Sequence, residues 1–343
     1  MKKLRKIYGW IIASVLLQTI ILAYFNYVYI PNRGAFRATM YEVDTAAVKS
    51  RSYKLPDGAT DVKVSFDGLY VAYRTSSGIE IADIDRRKTL KKLSAGKGEF
   101  SYYRWLPDRE MLIYSVKEPD GKSGSVRLST YDIGPELDRS YPDIKGLPED
   151  SSIVDIELSP LTNIVYPMVR TSDTRARIYQ FDIMDTLRLL MKTDISTVIK
   201  ETMYSNNLIY QVPDGQIKIR NGKSGRTTGV PVKEADLLLA VDDNDFIYAG
   251  VGDKSGRLTD IYYGKAEQSR DEWKKLTTGK PVSPENIVIT AGGEIYSVDV
   301  QNRSVTNLKD SSVVEHKGDF LTVLDNYVVS TDGGKLTLKV INK

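Results

Sequence analysis

The chain has 343 residues, 41% of them hydrophobic and 27% charged, which is ordinary for a globular body with a sizeable core. The net charge is +3, but Lys2, Lys3, Arg5 and Lys6 supply +4 and residues 7–30 supply none, so residues 31–343 carry −1; a general nucleic-acid binder would be basic over its domain, and no nucleic-acid partner is expected. Cysteine is absent, which removes disulfides, thiol nucleophiles and cysteine metal sites, and the single histidine, His316, leaves little for zinc.

Residues 1–6 read as a basic cytoplasmic tail. From Ile7 to Ile30 the chain runs uncharged, interrupted only by Gln18 and Asn26. As a helix it would span about 36 Å, enough for a bilayer core with some tilt. The four preceding cations stay in the cytoplasm by the positive-inside rule and send the rest of the chain outward. Trp10 near one end, and Tyr24, Tyr27 and Tyr29 near the other, stand where interfacial aromatics are expected. A cleaved signal peptide has an apolar stretch of about 7–15 residues and then a small-residue cleavage site. This run is longer, and AYFNYVYIP (23–31) offers no such site. Residues 7–30 therefore read as an uncleaved transmembrane signal anchor in the lipid bilayer, and 31–47 as a juxtamembrane linker.

Over residues 48–343 one pattern recurs: strand, turn, strand ending near a tyrosine, hairpin, third strand, fourth strand. The second-strand pieces end at Tyr73, Tyr114, Tyr166, Tyr210 and Tyr248, with weaker copies at Ile289 and Val329. Their spacing is that of a four-stranded propeller blade. The third-strand pieces are GIEIADID (78–85), VRLSTYDI (126–133), ARIYQFDI (176–183), GQIKIRNG (215–222), TDIYYGKA (259–266), GEIYSVDV (293–300) and KLTLKVIN (335–342). Asp83, Asp132, Asp182 and Asp299 recur in them and read as turn formers, because Asp accepts hydrogen bonds from nearby amides. SFDG (65–68), LPDR (106–109), SPLT (159–162) and DDND (242–245) mark first-to-second turns. DGKSGS (120–125), NGKSGR (221–226) and GDKSGR (252–257) read as tips of second-to-third hairpins, since no helix follows to make a phosphate loop. Fourth strands are TLKKL (89–93), EWKKLT (272–277) and VTNL (305–308). The seventh copy lacks one, and SRSYKLPDG (50–58) supplies it, closing the ring and removing open edges. The fold class is all-β: a seven-bladed β-propeller, with six or eight blades as the alternatives, preceded by one N-terminal transmembrane helix.

The run VKVSFDGLYVAYRTSSGIEIADIDRRKTLKKLS (62–94) resembles one blade of the TolB-like and dipeptidyl-peptidase-IV N-terminal-like (WD40-like) propellers. That family shows a Ser-Pro-Asp-Gly turn; here Ser65, Asp67 and Gly68 match, with Phe66 in place of proline. Trp105, Leu106, Pro107 and Asp108 occupy the same place in the second blade, and Leu276-Thr277 matches the family's last strand. The resemblance implies an architecture from Arg51 onward and no single activity, because propellers host many functions. The peptidases of the family carry a hydrolase domain, whereas this chain has no G-x-S-x-G elbow, so no catalytic residue carries over.

Other groups point to core or turns. His316, in VVEHKGDF (313–320), lies in a loop or the first strand of the last blade and reads as a packing histidine. Asp242, Asp243 and Asp245 depart from calcium-loop spacing, with Ile247 and Asp253 where glycine and glutamate would stand. Tyr102, Tyr103 and Trp105 fall on the first strand of blade two, with core packing as the default. No catalytic, cofactor-binding or metal-binding residue is assigned, and no cofactor is expected. The reading is a membrane-tethered, extracytoplasmic scaffold that binds an envelope or membrane protein, with an enzymatic role left open. The alternatives are a polysaccharide- or peptide-acting hydrolase or lyase, favoured by convergent charged groups in the funnel, and a ligand-binding sensor subunit.

Overall fold

The middle strands of this protein are apolar on both sides. Ile164–Arg170 is buried at six consecutive positions, and Gly78–Asp83 at five. A strand of that kind needs cover on both faces, which a propeller gives by placing a blade on each side. The computed structural model describes residues 2–24 and 48–341, apart from 121, 122, 160 and 214. It divides into two units, Met1–Val48 and Lys49–Lys343.

In the first unit, helix α1 runs over Lys2–Tyr24, and its side chains from Trp10 onward are almost all exposed. It covers residues 7–24 of the expected membrane span; positions 25–30 of that span and the linker 31–47 lie outside the described residues. Among the described residues no helix is long and apolar enough to cross a membrane.

The second unit is a seven-bladed propeller. Seven antiparallel sheets follow one another in chain order, each built first-to-fourth from the axis outward. First strands of successive blades lie against one another, which places them innermost. Blade one is Thr60–Val64, Tyr70–Thr75, Gly78–Asp83 and Lys88–Leu93. In blade two the outer position is shared by Leu137–Ser140 and Ile144–Leu147, both paired with Ser123–Asp132. The ring closes as the sequence predicts: Arg51–Lys54 pairs with Lys335–Val340, Tyr53 opposite Leu336 and Arg51 opposite Leu338.

The core is not one mass but seven wedges, one between each pair of blades. The wedge that joins blades seven and one holds Tyr53, Val71, Tyr73, Val329, Leu336 and Leu338. Gly68 also packs there. Its φ is +71°, and a Cβ would come within 2.9 Å of Leu338 and of Tyr327.

The row of turn-forming aspartates behaves as expected. Asp83, Asp132, Asp182 and Asp299 each accept a backbone N–H two to four residues on, at 2.7–3.1 Å. The first-to-second turns also stand where predicted. Blade six does not. NIVI (286–289) is its first strand, Ile287–Ile289, and the second strand is Ile295–Asp299, within the segment expected to be third. The third strand is Ser304–Asn307, and VVEHKGDF (313–320) splits into the fourth strand of blade six and the start of blade seven. Asp299 therefore ends a second strand. NGKSGR (221–226) joins third to fourth strands of blade four, where Asn221 Oδ1 accepts from Lys223 N and Ser224 N.

Two substitutions probe closure. Leu338→Ala removes a fully buried side chain from the last wedge and should cost about 2–5 kcal/mol in urea unfolding. Gly68→Ala should cost about 1–3 kcal/mol by overpacking the same wedge. Midpoints unchanged in both would mean that this wedge does not hold the ring.

Candidate functional site

The first strands carry one register-equivalent position, two residues before each first-to-second turn. In blades one to four it holds Lys63, Arg104, Glu157 and Lys200, opposite Ala72, Ile113, Tyr166 and Ile209. In blades five to seven it holds Ala240, Val288 and Thr322. One side of the axis is thus charged and the other nearly apolar. A bulge lies just upstream in blades one, two, three, five and seven, turning the inner strand toward the axis.

The charged side is internally satisfied. Lys63 Nζ donates to the main-chain carbonyl of Tyr103 at 2.7 Å, faces the Tyr102 and Tyr103 rings, and lies 3.5 Å from Asp61. Burial pushes its pKa down, against the pull of Asp61. Arg104 repeats the device one blade on, donating to the Ile156 carbonyl at 2.8 Å and meeting Glu157 at 3.2 Å. Lys200 reaches Glu157 at 2.6 Å. Burial alone would raise the Glu157 carboxyl, but Lys200 and Arg104 hold it below the usual range. Tyr102 donates to Asp155 at 3.1 Å. Lys63 and Arg104 thus satisfy backbone carbonyls on inner strands that have no further strand beside them.

Glu201 stands apart. It is 7% exposed, and neither carboxyl oxygen has a hydrogen-bond partner. Burial, then Glu157 and Asp245, push its pKa well above the ordinary value.

At the end of the axis where the first-to-second turns gather lies a cavity of about 250 Å³. Blades one and two line it with Phe66, Trp105, Leu106 and Pro107, and blades five to seven with Val288, Ile289, Val323, Asp243 and Asp325 among others. Both residues contact the same turn of blade six: Asp325 Oδ1 accepts from Gly292 N at 2.9 Å, and the main-chain N–H of Asp243 donates to the Ala291 carbonyl at 2.9 Å. No cation among the described residues pairs with either. Burial, then Asp325, Asp242 and Asp108, push the Asp243 carboxyl up to about 6.

Other sequence candidates fall elsewhere. His316 is buried beside Phe320, with ring centroids 5.7 Å apart and no side-chain hydrogen bond to either ring nitrogen. Asp242 is consumed by its turn, accepting from Asn244 N, Phe246 N and the Tyr248 hydroxyl. Asp245 accepts from Tyr204 N and Ser205 N and so ties the blade-four turn to blade five. Tyr103 and Trp105 are core, while Tyr102 joins the charged belt. Among the described residues no group of three or more His, Cys, Asp or Glu side chains is arranged to hold a metal. Sequence reading missed the belt and the axial pocket. The available signal was the charge two residues before successive turns, in VKVS (62–65), YRWL (103–106), IELS (156–159) and IKET (199–202).

Two variants test the belt. Glu157→Ala strands Arg104 and Lys200 and should destabilise the fold by about 3–5 kcal/mol. Glu201 works in the opposite sense. Its folded pKa is raised, so the folded chain keeps the proton after the unfolded chain has lost it near pH 4.3, roughly. The resulting cost is absent below that pH, grows as pH rises through the window up to the folded pKa, and then levels off. Glu201→Gln should match the parent in urea midpoint near pH 4 and exceed it at pH 8. Equal midpoints at both pH values would contradict the raised pKa.

No protein-family model matches the sequence, and no curated protein matches it. Many solved structures do. An oligogalacturonate lyase in complex with manganese is 12% identical over 86% of this chain and 91% of its own, with a TM-score of 0.57. Dipeptidyl peptidase 4 from Porphyromonas gingivalis is 12% identical over 75% of this chain, with a TM-score of 0.46; the chain spans 45% of that protein's length. TolB from Acinetobacter baumannii is 14% identical over 86% of this chain and 64% of its own, with a TM-score of 0.40. At these identities the likeness concerns fold alone, and the conclusion that the sheets, the wedges and the lyase match support together is that this chain is a seven-bladed β-propeller.

Proposed function

We propose that this protein is a binding scaffold, held at a membrane by its N-terminal segment and docking a protein partner on the face where the first-to-second and third-to-fourth turns lie. One observation carries the reading: large apolar side chains left exposed on the propeller concentrate on that face. Phe66, Leu161 and Tyr204 stand on first-to-second turns, Ile183 and Met184 on the third-to-fourth turn of blade three, and Leu137 at the start of an outer strand. Clustered exposed apolar side chains of this kind mark interaction surfaces. The patch is held rigid. Arg139 bridges to Asp185 at 2.7 Å, joining blades two and three, and Asp245 fixes the turn that presents Tyr204. A rigid, pre-formed surface loses little entropy on binding.

The tether draws on the sequence. Four cations open helix α1, and its residues 7–24 carry no charge, a pattern that suits a membrane anchor. On this reading the propeller lies outside the cytoplasm, in the cell envelope, where confinement near the membrane raises its effective concentration toward other membrane proteins.

A second reading has its own support. Asp243, with a pKa near 6, beside Asp325 resembles an acid–base carboxylate pair of a glycan-acting enzyme. Turnover of a polysaccharide by the purified protein, abolished in Asp243→Asn, would favour it.

The docking reading is tested with a photo-crosslinking amino acid placed at Met184 or Tyr204, or at Val198 or Val300, which lie toward the opposite face, in the full-length protein in cells. Discrete adducts from the first pair and none from the second are expected. No adducts, or equal adducts from both faces, would remove the proposal.

A further inference from the structure

We infer that the axial pocket on the docking face is a receptor for one lysine or arginine side chain of a protein partner, the aliphatic stem against the apolar wall and the cation between Asp243 and Asp325. The inference rests on the docking reading and names the chemistry that the face selects.

Three observations lead there. The pocket is apolar where a stem would lie: Phe66, Trp105, Leu106, Pro107, Val288 and Leu324 line it. At about 250 Å³ it is smaller than the ~300–1,000 Å³ of typical small-molecule sites, which suits a single side chain. Its charge is unmet. Glu157, the buried carboxylate of the charged belt, is by contrast answered by Arg104 and Lys200. Two cations of the turns around it are already committed, Arg109 to Asp108 at 2.8 Å and Lys309 to Glu294 at 3.2 Å. Asp243 and Asp325 are half-buried with no cation against either, and burying unpaired like charges together is costly unless something arrives to neutralise them.

The geometry is also fixed in advance. Asp325 is held by Gly292 N, and a Cβ on Gly292 would stand 2.8 Å from that carboxylate, so the close approach depends on glycine. Trp105 is anchored by its indole N–H to the Lys63 carbonyl at 2.9 Å. The Trp105 wall and the Asp325 carboxylate are therefore held in place before a cation arrives. An acidic mouth disfavours an anionic lipid surface and favours a basic peptide segment. The apolar patch on blades two to four lies on the same face, so a segment with a cation beside apolar residues engages both.

The test uses the full-length protein in detergent micelles at low salt. A fluorescein-labelled peptide Gly-Leu-Lys-Leu-Gly is titrated by anisotropy against the same peptide with norleucine for lysine, which keeps the stem and removes the ammonium. The lysine peptide should bind at least about ten-fold more tightly, a free-energy preference of roughly 1.4 kcal/mol. The preference should vanish in Asp243→Asn and in 0.5 M salt. It should also weaken below pH 6 as Asp243, pushed up to about 6, protonates; the charged groups around it are Asp108, Asp242, Asp325, Arg109 and Lys309. Asp243→Asn removes no internal hydrogen bond of the carboxylate, so loss of the fold does not confound it; an unchanged thermal midpoint confirms this. Equal binding of the two peptides would assign the pocket to a purely apolar ligand and overturn the inference. So would a lysine preference that survives Asp243→Asn. Adducts from Met184 and Tyr204 that persist while the lysine preference is absent would leave docking standing and this inference fallen; the reverse result would do the opposite.

Discussion

Each blade of this propeller has two apolar faces, and only another blade can cover each of them. This constraint organises the rest. Sheets packed face to face in a line would leave two faces bare and one wedge unmade. Bent into a ring, seven sheets make seven wedges and leave no apolar face open. The wedge between blades seven and one is the one that chain connectivity cannot supply, so it is held by a strand borrowed from the other end of the unit. Arg51 shows how thoroughly that junction is tied. Its guanidinium meets Asp85 of blade one at 3.2 Å and the Tyr327 hydroxyl of blade seven at 2.7 Å.

Closing the ring solves one edge problem and creates another. Inner strands face the axis with an edge that no further strand can pair. In blades one and two the chain answers with Lys63 and Arg104, which cross to the next blade's carbonyls, and in blades three and four with Glu157, which Arg104 and Lys200 neutralise. In blades five to seven the equivalent positions are small or apolar, and the axis there is open enough to form a pocket. The two halves divide the work. The charged half is occupied with its own cohesion, which leaves its acids and bases poor candidates for chemistry on a ligand. The apolar half leaves two carboxylates without an internal answer. Function, on this reading, sits where self-satisfaction stops.

The fold was legible in sequence because a blade's pattern is local: a turn rich in Asp and Gly, an apolar strand with tyrosine, a hairpin, a strand ending at Asp. The closing strand was legible for a different reason, since a missing fourth strand must come from somewhere. Blade six was misread because its strands are short. Ile287–Ile289 has only three residues and follows a single 3-10 turn, Pro284–Asn286, so NIVI took the place of a second strand that begins at Ile295. The tip NGKSGR, so like DGKSGS, misled because turn chemistry specifies a reversal of direction and not which strands it joins. The axial site was illegible for a deeper reason. Asp243 and Asp325 are remote in sequence, and each looks like an ordinary turn residue. Only the ring brings them over one turn of blade six, and only burial distinguishes them from the many aspartates that cap turns in water.

The closing strand also imposes an order on biogenesis. Ser50 and Val340 lie 290 residues apart and are joined by a hydrogen bond. A ribosome working at ~5–20 residues per second leaves the early strand waiting on the order of tens of seconds before its partner exists. Through that interval blades one to six can stack but the ring stays open, with one apolar face of blade one and the edge of the waiting strand uncovered. Such a chain is an aggregation hazard while it is being made and a stable object once it is finished. Nascent copies therefore depend on holding factors in a way that mature ones do not, and a premature stop anywhere before the last blade yields an open stack rather than a smaller propeller.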